Sequence, residues 1–173
     1  MRILGLDQSS NKTGFAIYEN EELIKYGVFD IHDLDEKHNG ICYFQEKIEN
    51  NLMFIDRLIK EYKIDLVCIE DIQSQSNVNT YKKLAWLQGS IMQYLYDNNF
   101  EFSILSPSEW RKVLNIKGKS RKREDIKLAT QQYVTKAFGI EVDEDISDAI
   151  CIGQACDLLN IKNKLNIYKK GLI

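Results

Sequence analysis

The stretch MRILGLDQSSNKTGFAIYENEELIKYGVFDI, residues 1–31, decides the fold. RILGLDQ (2–8) reads as a strand, NKTG (11–14) as a turn, and GFAIYEN (14–20) as a second strand returning beside the first through a hairpin. LIKYGVFDI (23–31) supplies a third strand. A carboxylate, Asp7, stands where the apolar run of the first strand ends.

Beyond this meander the period changes. From Ile41, apolar residues recur at Phe44, Ile48, Leu52, Ile55, Leu58, Ile59 and Tyr62, the spacing of a helix with one buried face. IDLVCIED (64–71) is almost continuously apolar, as suits a central strand covered on both faces. NTYKKLAWLQGSIMQYLYDNN (79–99) reads as a helix, FEFSILSP (100–107) as a strand ended by Pro107, and SEWRKVL (108–114) as a short helical turn. A basic loop, NIKGKSRK (115–122), leads into a helix through IKLATQQYVTKAFG (126–139). A last helix begins near Asp145 and runs through AICIGQACDLL (149–159). Three antiparallel strands followed by helix, strand, helix, strand and helices predict an α/β fold, a mixed five-stranded sheet with helices on both faces. With no internal repeat and no proline- or glycine-rich linker, residues 1–173 are expected to form a single domain.

The 173 residues, 44% hydrophobic, are ample for one core. No apolar run is long enough to span a membrane, and the first residues lack the order of a signal peptide, so a soluble, cytoplasmic protein without membrane partners is expected. Cys42, Cys68, Cys151 and Cys156 form no Cys-x-x-Cys pair, and three of them lie in apolar stretches. They read as reduced core residues rather than a zinc cluster or disulfide framework. The formal charge of -3 conceals a basic segment from Arg111 to Lys127, whereas acid gathers in EVDEDISD (141–148).

Four acids carry the chemistry. Asp7 ends the first strand and Glu70 ends the fourth; if the two strands are neighbours, their carboxylates meet at one point on the sheet. Asp145 and Asp148, spaced i, i+3, share one helix face. Converging carboxylates repel unless a cation neutralises them, and hard oxygen donors suit Mg²⁺ or Mn²⁺. Two such ions roughly 3.5 to 4 Å apart clamp an in-line displacement at phosphorus, the chemistry of a nuclease. Each acid also has a plainer reading. Taken alone, Asp7 reads first as a cap on the SSNKTG turn, and Asp145 and Asp148 serve equally as an N-cap and an N3 acid on a helix dipole. Glu70 resists such a reading, because the run VCI before it leaves little solvated surface. Asp71 should point to the opposite face, as a surface charge or salt-bridge partner.

With those residues in hand, the chain resembles the RuvC-type Holliday-junction resolvases of the RNase H-like superfamily. LGLDQSSNKTGFAIYE (4–19) is similar to the family's opening strand, turn and Thr-Gly hairpin, and LVCIEDI (66–72) to the strand bearing its second acid. LSPSEWRKVLNIKGKSRKREDI (105–126) resembles the segment with a proline, a Lys/Arg-Val pair and a basic loop, and DEDISDAICIG (143–153) the final Asp-x-x-Asp-Ala helix. The resemblance implies an RNase H-like fold and places the catalytic, metal-binding carboxylates on Asp7, Glu70, Asp145 and Asp148. It implies two Mg²⁺ ions per site, replaceable by Mn²⁺, with Asp7 shared between them, and a homodimer that nicks a four-way junction in pairs.

Two departures stand out. The family's Pro-Gly after the first acid is Gln8-Ser9 here, so the turn is built differently. The aromatic three residues after the second acid, which stacks on junction bases in bacterial relatives, is Gln73. The phage-encoded branch of the family shows a similar polar replacement, which implies relaxed choice among branched DNAs and action in a host cytoplasm.

Lys117, Lys119, Arg121, Lys122 and Arg123 flank Gly118 as a mobile basic strip suited to phosphates; together with Gln73 they are the expected DNA contacts. Alone, such a run reads as a solvated helix entry. Trp110 reads as core more readily than as a base-stacking residue. Trp86 and Gly89 lie in a helix whose relatives form the dimer contact, with ordinary packing equally plausible. His32 and His38, in an acidic loop, receive no role. Three rivals remain: an actin-like ATPase or sugar kinase, which needs two domains and a second glycine-rich loop; a ribonuclease H acting on RNA/DNA hybrids; and a branched-DNA binding module without catalysis.

Overall fold

A computed structural model describes residues 1–31, 41–74 and 77–171; the side chains of residues 41 and 42 are not described. Five strands, β1 (Arg2–Asp7), β2 (Lys12–Glu19), β3 (Glu22–Asp30), β4 (Leu66–Glu70) and β5 (Glu101–Leu105), form one sheet in the order β3-β2-β1-β4-β5. The β1, β2 and β3 pairings are antiparallel, whereas β4 runs parallel to β1 and to β5. The helices are α1 (Ile41–Tyr62), α2 (Val78–Asp97), α3 (Pro107–Val113), α4 (Arg123–Phe138) and α5 (Glu144–Ile161). The mixed five-stranded α/β sheet expected from the patterning is therefore present.

Strand alternation divides the core into two layers. Leu4, Leu6, Val67 and Ile69 point toward α1 and α2, where they pack with Phe44, Ile55, Leu87 and Ile91. Ile3, Leu66 and Cys68 point the other way, into a cluster built from α3, α4 and α5 with Trp110, Val134, Ile150 and Ile152. Cys68, Cys151 and Cys156 are buried and free, as their apolar settings suggest. No helix among the described residues is long and apolar enough to cross a membrane.

One helix is seated unusually close to the sheet. A methyl group on Gly5 of β1 would lie 2.5 Å from the backbone nitrogen of Gly153, so only glycine lets α5 rest there. The Tyr18 hydroxyl donates to the Ile150 carbonyl at 3.0 Å and fixes α5 over β2.

Several boundaries differ from the sequence reading. Lys12, Thr13 and Gly14 already belong to β2, because Lys12 pairs with Asp30 and Gly14 with Asp7; the turn is confined to residues 8–11. In place of Pro-Gly, that turn is held by Thr13, whose Oγ1 accepts from the Ser9 N–H at 3.3 Å and donates to buried Asn51 at 2.7 Å. Lys47 adds a bond to the Asn11 side chain at 2.6 Å. Pro107 does not end β5 but opens α3, where its missing N–H costs nothing. The final helix starts at Glu144, and its N-cap is Asp143, which accepts from the Ile146 N–H at 3.0 Å. Asp145 is therefore not the cap.

Candidate active site

The register places the acids. β1 and β4 pair in parallel through Leu6 and Ile69, so Asp7 and Glu70 stand one step further along neighbouring strands, on the same face as Ile3 and Leu66. That face is covered by α5, whose first turns carry Asp145 and Asp148. Asp7, Glu70, Asp145 and Asp148 line one cavity of about 420 Å³, together with Gln73, Arg111, Arg121, Arg123, Lys127 and Glu144. The structure thus brings all four sequence-predicted acids to one place. A second polar cavity of about 570 Å³ adjoins it, lined among others by Asp7, Gln8, Ser9, Asn11, Gln73 and Lys83.

Mutual repulsion and burial show in the protonation equilibria. Burial pushes the Asp7 carboxyl well above the usual range; Glu70, Asp148 and Asp145 push it further, and Lys127 opposes them. Burial raises Glu70 from the ordinary 4.5 to about 7, against the Trp110 hydrogen bond and the Arg111 charge. Asp148 rises, again by burial, from 3.8 to about 6 despite Arg111, Lys127 and Arg123. Asp145 is raised too, by burial and then by Asp143, with Lys12 and Lys127 opposing. Perturbed carboxylates gathered in one cleft make it a candidate functional site.

Contacts to Glu70 come from three directions. Its side-chain Oε1 accepts from the indole Nε1 of Trp110 at 2.8 Å. Its main-chain carbonyl accepts from the amides of Gln8 and, at 3.2 Å, of Gln88 on α2. Gln8 Oε1 is buried without a partner. Asp71 is exposed and, as expected, faces the other way, with its side chain 3.5 Å from the Gln88 amide. Its N–H continues the ladder to the Leu105 carbonyl at 2.9 Å.

The predicted DNA contacts divide. Gln73, Arg121 and Arg123 line the acid cavity. Lys117, Lys119 and Lys122 are exposed and do not contribute to its lining. Nor is the strip a free loop. A methyl on Gly118 would lie 3.0 Å from the backbone of Asp125 and Ile126, the Ser120 hydroxyl bonds Asp125, and the Lys122 N–H bonds Ser120 at 3.1 Å. The segment is folded onto the first turn of α4.

Arg111 and Lys127 join the site although neither is among the expected DNA contacts. Arg111 lies over the Trp110 ring, 4.5 Å from its centroid, and Lys127 pairs with Glu144 of α5. Their signal in the sequence is the run of cations itself, which extends past the loop on both sides. Trp86 is half exposed and Gly89 faces open space. His32 and His38 lie outside the described residues.

The donor chemistry fits hard divalent cations. Among the described residues, no three side chains meet at the spacing of a single ion's shell. Mg²⁺ sites in phosphoryl-transfer enzymes take only one or two carboxylates each and complete their shells with water and substrate phosphate, which this divided acid set suits.

Residues 3–156 match the family model described as crossover junction endodeoxyribonuclease RuvC. The chain belongs to the RuvC family. Among curated members, the Helicobacter pylori (strain G27) crossover junction endodeoxyribonuclease RuvC is 30% identical over 156 residues, covering 88% of this chain and 93% of that one. The Campylobacter lari RuvC is also 30% identical, over 159 residues, covering 88% and 92%. A solved structure of Thermus thermophilus RuvC in complex with a Holliday junction substrate superposes with a TM-score of 0.73 at 10% identity, over 97% of this chain and 99% of that one. At such identity the likeness is one of fold, and the RuvC fold is the RNase H-like one implied by the motifs.

Proposed function

We propose that the chain, acting as one nuclease unit over residues 1–173, is a structure-selective endonuclease that resolves four-way DNA junctions by paired nicks. The observation that carries the reading is the meeting of Asp7, Glu70, Asp145 and Asp148 in a cavity that is also lined by Arg111, Arg121, Arg123 and Lys127. Acids and cations in one cleft suit a phosphodiester: the acids to hold divalent ions, the cations to seat the phosphates on either side.

Asp7 feels the charges of Glu70, Asp148 and Asp145 together, which supports the role the family resemblance implies for it, the acid that two Mg²⁺ ions would share, with Mn²⁺ able to replace them. Glu70, Asp145 and Asp148 would supply the remaining protein oxygens, with water and substrate phosphate filling the shells. When bound, such a pair activates water for attack at phosphorus and stabilises the leaving 3′ oxygen. Arg121 and Arg123 hold the substrate backbone, while Lys117, Lys119 and Lys122 extend the basic surface along the DNA. Gln73, polar where an aromatic would wedge between bases, supports relaxed choice among branched DNAs. On the same ground we place the chain with the phage-encoded branch, acting in a host cytoplasm.

Paired cuts in opposed strands require two such sites, which a homodimer supplies. An apolar groove between α1 and α2, lined by Phe44, Ile48, Leu52, Ala85, Trp86 and Gly89, supports a second copy as its occupant. The test is cleavage of a strand-labelled four-way junction in Mg²⁺ beside a fork, a linear duplex and an RNA/DNA hybrid, with Asp148→Asn as control. Symmetric nicks near the crossover, absent in the variant, are expected. Preferential cutting of the hybrid, or no metal-dependent cutting, overturns the reading.

A further inference from the structure

Trp110 is wholly buried in the layer beneath α5, where its bulk suffices to explain a tryptophan. Its polar atom needs more. A buried indole N–H requires an acceptor, and here the acceptor is a carboxylate oxygen of the acid cluster, Glu70 Oε1, at 2.8 Å. Among the described residues, no hydrogen bond reaches the side chains of Asp7, Asp145 or Asp148, so Glu70 is the one acid of the four held in this way.

The restraint is well founded on both sides. Glu70 ends β4, and the amides of Gln8 and Gln88 converge on its carbonyl, so its main chain is pinned and only its side-chain torsions are free. Trp110 sits one turn into α3, whose start is set by a complete capping box at Ser106 and Glu109 and by Pro107 in the first turn. The Arg111 guanidinium lies over the indole ring. The donor therefore comes from a rigid element and points at the longest and most flexible of the four acids.

We infer that Trp110 is a positioning residue for Glu70, engaging Oε1 so that Oε2 is the oxygen presented to a divalent ion in the acid cavity. This rests on the assignment of Glu70 as a metal ligand. Partners of this kind orient ligating carboxylates, and their loss typically weakens metal binding by about 10–100-fold.

The experiment is Mn²⁺ binding by calorimetry without DNA, on the full chain, for the wild type, Asp7→Asn, Trp110→Phe and a chain carrying 3-benzothienylalanine at position 110. The last replaces the N–H by sulfur with the ring shape retained, so it decides the matter if Trp110→Phe does not fold. Mn²⁺ binding that Asp7→Asn abolishes and that both position-110 changes weaken by about 10-fold or more is expected. In junction cleavage the Mn²⁺ concentration for half-maximal rate should rise in step, with the rate at saturating Mn²⁺ changed far less. Affinity within twofold of the wild type in a folded N–H-less chain reduces Trp110 to a core filler. A wild type with no Asp7-dependent Mn²⁺ binding overturns the metal assignment, and the role of Trp110 with it.

Discussion

Gly14 of β2 pairs with Asp7 in the sheet and at the same time underlies Asp145: a methyl group on Gly14 would overlap the Asp145 carbonyl oxygen. No side-chain rotation relieves such a clash, because the obstacle is backbone. Gly14→Ala is expected to lift the first turn of α5 and separate Asp145 and Asp148 from Asp7. A displacement near 1 Å costs about 100-fold in catalysis, and overpacking costs about 1–3 kcal/mol of stability. Junction cleavage and a thermal melt measure both.

Asp148→Asn should abolish cleavage and yet stabilise the protein in the absence of divalent ions. The acid is held at about 6 by burial, against an ordinary 3.8, so its charge opposes folding at neutral pH. Removing the charge while keeping the shape is expected to raise Tm by about 2–4 °C, the response to roughly 1 kcal/mol in a chain of this size. Calorimetry in EDTA at pH 7.5 tests it; an unchanged or lower Tm contradicts it.

The pH dependence has a definite sign. Glu70 and Asp148 are raised in the folded chain, which therefore holds more protons than the unfolded chain between about pH 4 and 7. Their effect on stability is fully favourable at the low end and is lost as pH rises through about 6 and about 7. Metal-free Tm should fall across that window. Divalent ions bind the deprotonated acids, so Mg²⁺ should raise Tm more at pH 8 than at pH 5.5, and cleavage should increase over the same interval.

The cations that line the acid cavity differ in kind from those beyond it. Lys117→Gln and Lys119→Gln should reduce the salt dependence of junction binding, by roughly 0.9 in the log–log slope for each phosphate no longer neutralised, with little change in saturated cleavage rate. Arg121→Gln and Arg123→Gln should lower the cleavage rate as well, since both side chains border the carboxylates. Binding isotherms at several salt concentrations, paired with single-turnover rates, separate the two groups.

Trp86→Glu addresses assembly. The indole is half exposed at the apolar groove between α1 and α2, whose lining includes none of the four acids, so a charge there should leave the fold intact. Sedimentation should shift toward the monomer. Paired nicking should decay into single, uncoordinated nicks. A dimer that survives this change, with paired nicking preserved, places the interface elsewhere.

Much of this site is legible in the sequence because it follows from short-range rules. Apolar runs ending in Asp7 and Glu70 put both acids at strand ends, and i, i+3 spacing puts Asp145 and Asp148 on one face. What escapes such rules depends on partners distant along the chain. Asp143 caps α5 in place of Asp145 because the helix begins earlier than the acidic run suggests, and nothing in EVDEDISD distinguishes the three aspartates. The basic segment reads as mobile because Ser120 and Asp125, which tie it down, are ordinary polar residues in sequence. Trp110 reads as filler because its target lies 40 positions away; only the neighbouring of β4 and β5 brings α3 back over Glu70.

The Gln88 amide has one further implication. It rises from α2, the helix that borders the apolar groove, and ends on the carbonyl of Glu70. A single side chain thus ties the outer helix to the end of the central strand. The border of the apolar groove and the strand end that carries Glu70 are therefore joined through one amide, at the main chain of the residue and not at its carboxylate.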